Sequence, residues 1–337
     1  MKTRILVSVF LLAALVLGAV PADVTYTEGD TVIKVKAGTQ HDAQIGDTLN
    51  TGDTLRTGDD GLAELAQAGV TIKISKGTVF TLMEREVSGK TTSVLSVALG
   101  SVKYRYDKLT GSEPMVRTNG AVAGVRGTEF TVYSGADGST LIAVDSGQVT
   151  VESAGQSVDL GASEGVTVPL GKPPGEKVTV HADQIDYKTW NDDRIASLLQ
   201  DPMAALDSIQ AEMDSYVASV TDYAARFADS SKNLAAERAN RDAILQQKGK
   251  DEAAKYQDQV VTPLALTTGY LFLNTRFYAL AALSLRRFVA GRLYVTLKAR
   301  ALASPADPTW KAFLDRYQAL LQEFETSIVP QLTAADI

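Results

Sequence analysis

The chain contains no cysteine. That absence excludes disulfides, thiol nucleophiles and thiolate metal sites, so stability rests on apolar cores alone. Histidine is nearly as scarce. His41 and His181 are the only two, and neither sits near a second ligand at zinc-site spacing. The acidic stretches Gly58–Gly61 (GDDG) and Gly135–Gly138 (GADG) lack the spaced series of a calcium loop and read as turns. No serine has a histidine within reach in the sequence, and no pair of carboxylates is singled out. A surplus of basic charge is missing too: 33 Lys and Arg stand against 40 Asp and Glu, net −7. A nucleic-acid binder usually carries a strongly basic face, so that class is not expected. These absences leave no catalytic residue, no metal site and no cofactor to name.

What is present divides sharply along the chain. A length of 337 residues exceeds one ordinary core and points to two domains, and 45% hydrophobic with 22% charged residues is the composition of a folded protein. Lys2 and Arg4 precede an apolar run, Ile5 to Val20, which ends at Val20-Pro21-Ala22. This has the form of a secretory leader over residues 1–22, with small residues before a cleavage point. The run is shorter than the roughly 20 residues that a spanning helix prefers. The expected location is therefore periplasmic or cell-surface, the alternative being an inner-membrane anchor left uncleaved.

From about residue 23 to 180 the period is two. Glycine-led runs recur, among them GVTIKIS (69–75), GSVKYRY (100–106), GTEFTVY (127–133) and GQVTVE (147–152). In GSVKYRY, Val102, Tyr104 and Tyr106 share one face while Lys103 and Arg105 share the other. Many short strands with glycine turns predict an all-β sandwich or an irregular β-solenoid. A Pro/Gly-rich stretch, LGKPPGEK (170–177), ends this half, and residues 181–200 read as linker and helix entry.

Residues 201–337 change to helical periods. Asp201-Pro202 and Asp307-Pro308 read as capped helix starts, and Thr262-Pro263 as a further one. Leu206, Met213, Val220, Phe227 and Leu234 are spaced by seven, with Ile209, Tyr216 and Tyr223 three residues after the first three. That seam predicts a long helix packed on another, in a bundle or hairpin, and offers a surface for self-association. Residues 260–304 hold six bases and no acid. Arg276, Arg287 and Lys298 recur every eleven residues, which on an uninterrupted α-helix forms one stripe. The stripe reads either as a surface for anionic lipid or cell-wall polymer, or as charge paired with the acidic helix before it.

The stretch AVAGVRGTEF (121–130) poses its own question. Gly124 and Gly127 would let strands cross closely, Gly127 at a bend that a side chain would block. Thr128 belongs to the same motif, and Phe130 re-enters the core. Arg126 and Glu129 read as exposed contacts or as a mutual pair holding the corner. Together with IGDTLNTGDTLRTGDDGLAEL (45–65), GVTIKISKGTVFTL (69–82), LSVALGSVKYRY (95–106) and TLIAVDSGQVTVES (140–153), this stretch resembles the FecR domain, with its core over 45–153. The resemblance implies an envelope-side sensing module that recognises a protein or envelope component in a sensing, adaptor or scaffold role. Full-length members carry a cytoplasmic sigma-factor-binding segment before a membrane span. Only four residues precede the apolar run here, so no sigma-factor partner is expected. The candidate binding residues are Lys103, Arg105, Arg126, Glu129, Arg276, Arg287 and Lys298. An envelope protein or cell-wall component is the expected partner, and a carboxylate hydrolase is the remaining alternative.

Overall fold

The structure is a computed structural model that describes residues 20–35, 38–107, 113–303 and 308–334. The leader reading falls almost wholly outside these residues, as does the Asp307 cap.

Fifteen strands occupy the first half of the described chain. They are β1 (Ala22–Glu28), β2 (Thr31–Lys34), β3 (Gln40–Asp42), β4 (Thr48–Leu49), β5 (Thr54–Thr57), β6 (Leu62–Gln67), β7 (Val70–Ile74) and β8 (Val79–Val87), followed by β9 (Lys90–Tyr106), β10 (Met115–Arg117), β11 (Val122–Ser134), β12 (Thr140–Ser153), β13 (Gln156–Leu160), β14 (Glu164–Val168) and β15 (Lys177–Thr179). Hydrogen bonding joins all of them into one sheet, yet that sheet has two layers. In the first, β3, β2, β5, β8 and the start of β9 run edge to edge, continued by β10, the start of β11, the end of β12 and β13. In the second, β4, β1, β6, β7 and the end of β9 are succeeded by the end of β11, the start of β12, β14 and β15. Thus β9, β11 and β12 each pass from one layer to the other. The sandwich expectation holds in this form, and the layers enclose one apolar cluster that includes Ile33, Leu55, Phe80, Val102, Tyr104, Phe130 and Val166.

A strand that changes layers must bend sharply, and glycine sits at each bend. Gly100 in β9 has φ +107°, and a Cβ there would lie 2.5 Å from Thr78 Cα. Gly127 in β11 has φ +57°, in a stretch where register slips between Arg126 and Glu129. Gly147 in β12 has φ +82°, and a Cβ there would stand 2.2 Å from the Gly127 carbonyl oxygen. The close crossing expected at Gly124 is therefore at Gly147 over Gly127, because nothing lies within 4 Å of a Cβ built on Gly124.

The helices come next in the chain. Residues assigned in the sequence to linker and helix entry form a short 3₁₀ turn (Ala182–Gln184) and α1 (Tyr187–Gln200), whose start Asp186 caps by accepting from the Thr189 amide at 3.0 Å. They cover the outer face of β11 and β12, where Tyr133, Leu141 and Ala143 pack with Ile185, Tyr187 and Trp190. The Tyr187 hydroxyl donates to the Ser134 carbonyl and accepts from the Gly100 amide, both at 2.9 Å, which fixes α1 to the bend of β9. Then comes α2 (Pro202–Lys248), 47 residues and about 70 Å long at 1.5 Å per residue. The Asp201 carboxylate accepts from the Ala204 amide at 3.0 Å, a cap that contributes about 1 kcal/mol.

The chain reverses at Gly249 (φ +87°) and returns as α3 (Lys250–Tyr256), a π-helical segment (Gln257–Val261), α4 (Thr262–Ser284), a second π-helical segment (Leu285–Ala290) and α5 (Gly291–Ala303). Pro263 does not open a separate helix. Val261 ahead of it is helical, and the wide π turn just before accommodates a residue that lacks an amide and crowds the preceding carbonyl. Antiparallel contacts between Tyr223 and Tyr278, Phe227 and Phe272, and Ser230 and Thr268 join α2 to α4. With α6 (Pro308–Ser327) and α7 (Val329–Ala334), they bury Leu206, Ile209, Met213, Tyr216 and Val220. The seam thus closes within the chain instead of against a second copy.

The bend geometry makes a prediction. Gly147→Ala should cost about 3 kcal/mol or more, because a backbone collision adds to the positive-φ penalty. Gly155→Ala, with φ +72° and open space around it, should cost about 1 kcal/mol. Urea denaturation of the two variants checks this, and equal losses would contradict the crossing.

Candidate functional site

The outer face of the first layer is where the two halves meet. Met83 of β8 and Val94 of β9 are buried there against Phe277 of α4, with Met115, Tyr278 and Leu280 beside them. Two arginines flank the Phe277 ring: Arg85 at 4.9 Å and Arg117 at 5.6 Å from its centroid. Each such cation–ring contact contributes about 0.5–2 kcal/mol. Arg117 is buried and its Nη2 donates to the Tyr216 hydroxyl at 2.6 Å, which brings α2 into the same junction.

Polar anchors run along α4. The Tyr270 hydroxyl donates to the Gly89 carbonyl at 2.8 Å. Asn274 Oδ1 accepts from the Glu86 amide at 3.1 Å, and its Nδ2 donates to Glu86 Oε2 at 3.3 Å. Arg276 Nη1 lies 3.5 Å from Glu84 Oε1 while Nη2 donates to the Thr51 carbonyl at 3.0 Å. Both partners of that ion pair are nearly out of water, at 7% and 10% side-chain exposure. Burial draws the Arg276 guanidinium below its usual range, and Glu84 and Asp53 pull the other way. At the far end of α4, Ser284 Oγ donates to Asn119 Oδ1 at 3.0 Å.

Beyond this contact the sheet and helices part to leave a cleft of about 830 Å³. Lys34, Arg56, Arg287 and Arg292 line it, and among the described residues no acidic one does.

Residues 53–150 match a family model described as FecR protein. This stretch is a FecR domain. No curated protein matches the chain. Two solved structures described as a putative anti-sigma factor from Parabacteroides distasonis ATCC 8503, at 1.65 and 2.50 Å resolution, are similar at 17% identity and a TM-score of 0.33. The matches cover 41% and 39% of this chain, and 63% and 61% of those chains, less than two thirds of their length.

Within the FecR domain the sequence-named residues fall into two groups. Lys103 Nζ sits 2.7 Å from Glu129 Oε1 and 3.0 Å from Asp145 Oδ2 on the outer face of the second layer. Its ammonium is held above the usual lysine range, first by the hydrogen bond to Glu129. Glu129 therefore pairs with Lys103, which the register places near it across β9 and β11. The Arg126 backbone lies opposite Gln148, and its side chain is outside the described part of the structure. Arg105 bonds Asp107 at 3.1 Å and Thr71 at 3.4 Å. The Thr128 hydroxyl donates to the Gln148 carbonyl at 2.9 Å, and Phe130 is fully buried, stacked on Tyr104 at 5.2 Å.

The three-cation stripe does not form. Arg276 faces the FecR domain, Arg287 opens into the cleft, and Lys298 Nζ stands over the Tyr294 ring at 5.7 Å. The π segment at Leu285–Ala290 breaks the eleven-residue phase that an unbroken α-helix would keep. Nor does Arg276 pair with the acidic helix α2, since it takes its carboxylate from the sheet.

One match escaped the sequence reading. Gly161-Ala162-Ser163-Glu164-Gly165 has the spacing of a serine nucleophile elbow. It lies between β13 and β14, not between a strand and a helix, and although Ser163 has φ +63°, its hydroxyl has no histidine partner among the described residues. Among those residues no group of three or more His, Asp or Glu could hold a metal ion, and no helix is long and apolar enough to cross a membrane.

The buried pair should be far costlier to break than the exposed one. Arg276→Met should lose about 2 kcal/mol or more, as it removes a buried cation that faces Glu84 and donates to the Thr51 carbonyl. Lys103→Met, at a site with 41% side-chain exposure, should lose less than about 1 kcal/mol. Chemical denaturation of both variants tests the ranking.

Tyrosines give a second check. Burial, followed by the charge of Asp145, pushes the Tyr133 phenol up to about 12, and burial also raises Tyr104, Tyr106, Tyr187 and Tyr216 above the usual tyrosine range. In the unfolded chain these phenols ionise near 10.0. Their contribution to stability is whole below pH 10 and declines as pH climbs through 10 to 12 and beyond. Of the 12 tyrosines, the exposed ones should ionise first, and the remaining phenolate absorbance should rise in step with loss of circular dichroism. Full ionisation near pH 10 with the fold intact would contradict the burial.

Proposed function

We propose that this protein is a non-catalytic recognition protein of the cell envelope, acting as a sensor or adaptor, with the FecR domain and the helices serving as one binding body. The observation that carries this reading is the seating of α4 on the FecR domain through the buried Arg276–Glu84 pair and the Asn274–Glu86 hydrogen bonds. Two modules that act independently have no need of an ion pair withdrawn from water, whose partners cost several kcal/mol each to desolvate. A partner that engages either half therefore meets both as a single rigid surface. The FecR family match supports a sensing role, and the leader-like N-terminus supports export. The reading of the basic helix as a polymer-binding stripe is weakened because Arg276 faces inward.

Photocrosslinking in cells tests this. A photoreactive residue at position 105, on the exposed face of β9, is compared with one at position 222, on the exposed side of α2. The expected outcome is a discrete envelope protein captured reproducibly and identified by mass spectrometry. Capture of wall polymer alone, released only by glycan digestion, would replace the sensor reading with the polymer one.

A further inference from the structure

The cleft between sheet and helices has a floor that the strand register builds in one line. Lys34 of β2 pairs with Thr54 of β5, Thr54 with Thr81 of β8, Thr81 with Ser96 of β9, and Ser96 with Arg117 of β10. Register partners share a face of a sheet. The neighbours that alternate with them, Ile33, Leu55, Phe80, Leu82, Leu95 and Val97, are buried in the sandwich core, so the line lies on the outer face. It reads cation, three hydroxyls, cation, and the Thr54 and Thr81 hydroxyls are 2.9 Å apart. Lys34, Thr54, Thr81 and Ser96 border the cleft, whereas Arg117 ends the line outside it, buried against Tyr216 and Phe277.

The opposite wall is helical. Arg287 comes from the second π segment and Arg292 from α5, with Phe288 between them in sequence. Arg56 stands two residues along β5 from Thr54, on the same face, and also borders the cleft. Four cations from two opposed walls thus border one cleft that no acid lines among the described residues, in a chain of net charge −7. None of the four has an ion-pair partner among the described residues. An unneutralised cluster of this kind raises the local concentration of anions. The volume, about 830 Å³, falls in the range of small-molecule sites, roughly 300–1,000 Å³.

We propose that this cleft binds a small polyanion, a molecule carrying two or more phosphate or carboxylate groups, with anionic groups meeting both the sheet wall and the helical wall. Guanidinium groups suit such oxygens because they bind them through two parallel hydrogen bonds. The threonine and serine hydroxyls of the floor supply further donors. A single monovalent anion can satisfy one wall only, whereas a polyanion bridges both and ties the FecR domain more tightly to the helices. This site goes beyond the protein-partner reading and does not depend on it.

Isothermal titration of the full chain with inorganic triphosphate and with propane-1,2,3-tricarboxylate tests the proposal, and the pair distinguishes phosphate from carboxylate chemistry. At least one should bind with an affinity that falls as salt rises and should raise the melting temperature. Arg56→Gln and Arg287→Gln, both at exposed positions, should each weaken binding by about tenfold or more, the scale of one charge-assisted hydrogen bond. Circular dichroism confirms that the variants fold. Lys298→Gln, outside the cleft on the same helical run, should leave binding unchanged. Absence of binding by both polyanions at millimolar concentration overturns the proposal. So does a Lys298→Gln loss as large as that of Arg287→Gln, which would mean general surface attraction.

Discussion

Arg276 sits in the interior of this protein beside Glu84, Asp53 and the Thr51 carbonyl, and that compensation positions the residues around it. An arginine stripped of water and left unpaired costs several kcal/mol, so α4 has one favourable seat along β8. With that seat occupied, Asn274 reaches the Glu86 backbone, Tyr270 reaches the Gly89 carbonyl, and Phe277 enters between Arg85 and Arg117. The same placement leaves the second π segment suspended over β5 and β8, where it forms the second wall of the cleft. Such a buried pair adds little net stability over apolar residues of similar volume, although removing one partner alone is costly.

The β half has a comparable constraint in its three shared strands. Because β9, β11 and β12 belong to both layers, the layers cannot slide over one another without breaking main-chain hydrogen bonds. Each shared strand needs a bend, and at Gly100 and Gly147 the neighbouring backbone comes too close for any side chain. The sandwich is therefore held by covalent continuity at its corners as well as by its core. Tyr187 reaches the amide of Gly100, so α1 is tied to one of those same corners.

Much of this was legible in the sequence, for a physical reason. Strand alternation and heptad spacing are local, and Val102, Tyr104 and Tyr106 or Leu206, Ile209 and Met213 declare their burial by period alone. The positive φ of Gly127 and the Asp201 cap are local as well. The features that stayed hidden depend on long-range register. Glu129 found Lys103 because two strands align, a pairing that no spacing within AVAGVRGTEF could disclose. Gly124 resembled Gly127 in context, yet only the approach of Gly147 decides which glycine is at the crossing. The polar line from Lys34 to Arg117 is spread over five strands and 84 positions, so it exists only once the sheet is assembled. Helix phase was the other blind spot, since the eleven-residue stripe presumed 3.6 residues per turn throughout.

The π segments set the phase of the helices that follow them. Each residue added to an α-helix rotates the remainder of the helix by about 100°, so a π turn works as a phase shifter between two helical stretches that face different partners. Before the one at Leu285–Ala290 the helix addresses the FecR sheet through Arg276 and Phe277, and after it α5 buries Leu293 and Leu297 in the bundle while turning Arg292 to the cleft. A one-residue deletion that straightened this turn could spare every charge in the sequence. It would nevertheless swing Arg292 by about a quarter of a turn relative to the sheet, and the two walls would no longer be written to the same address.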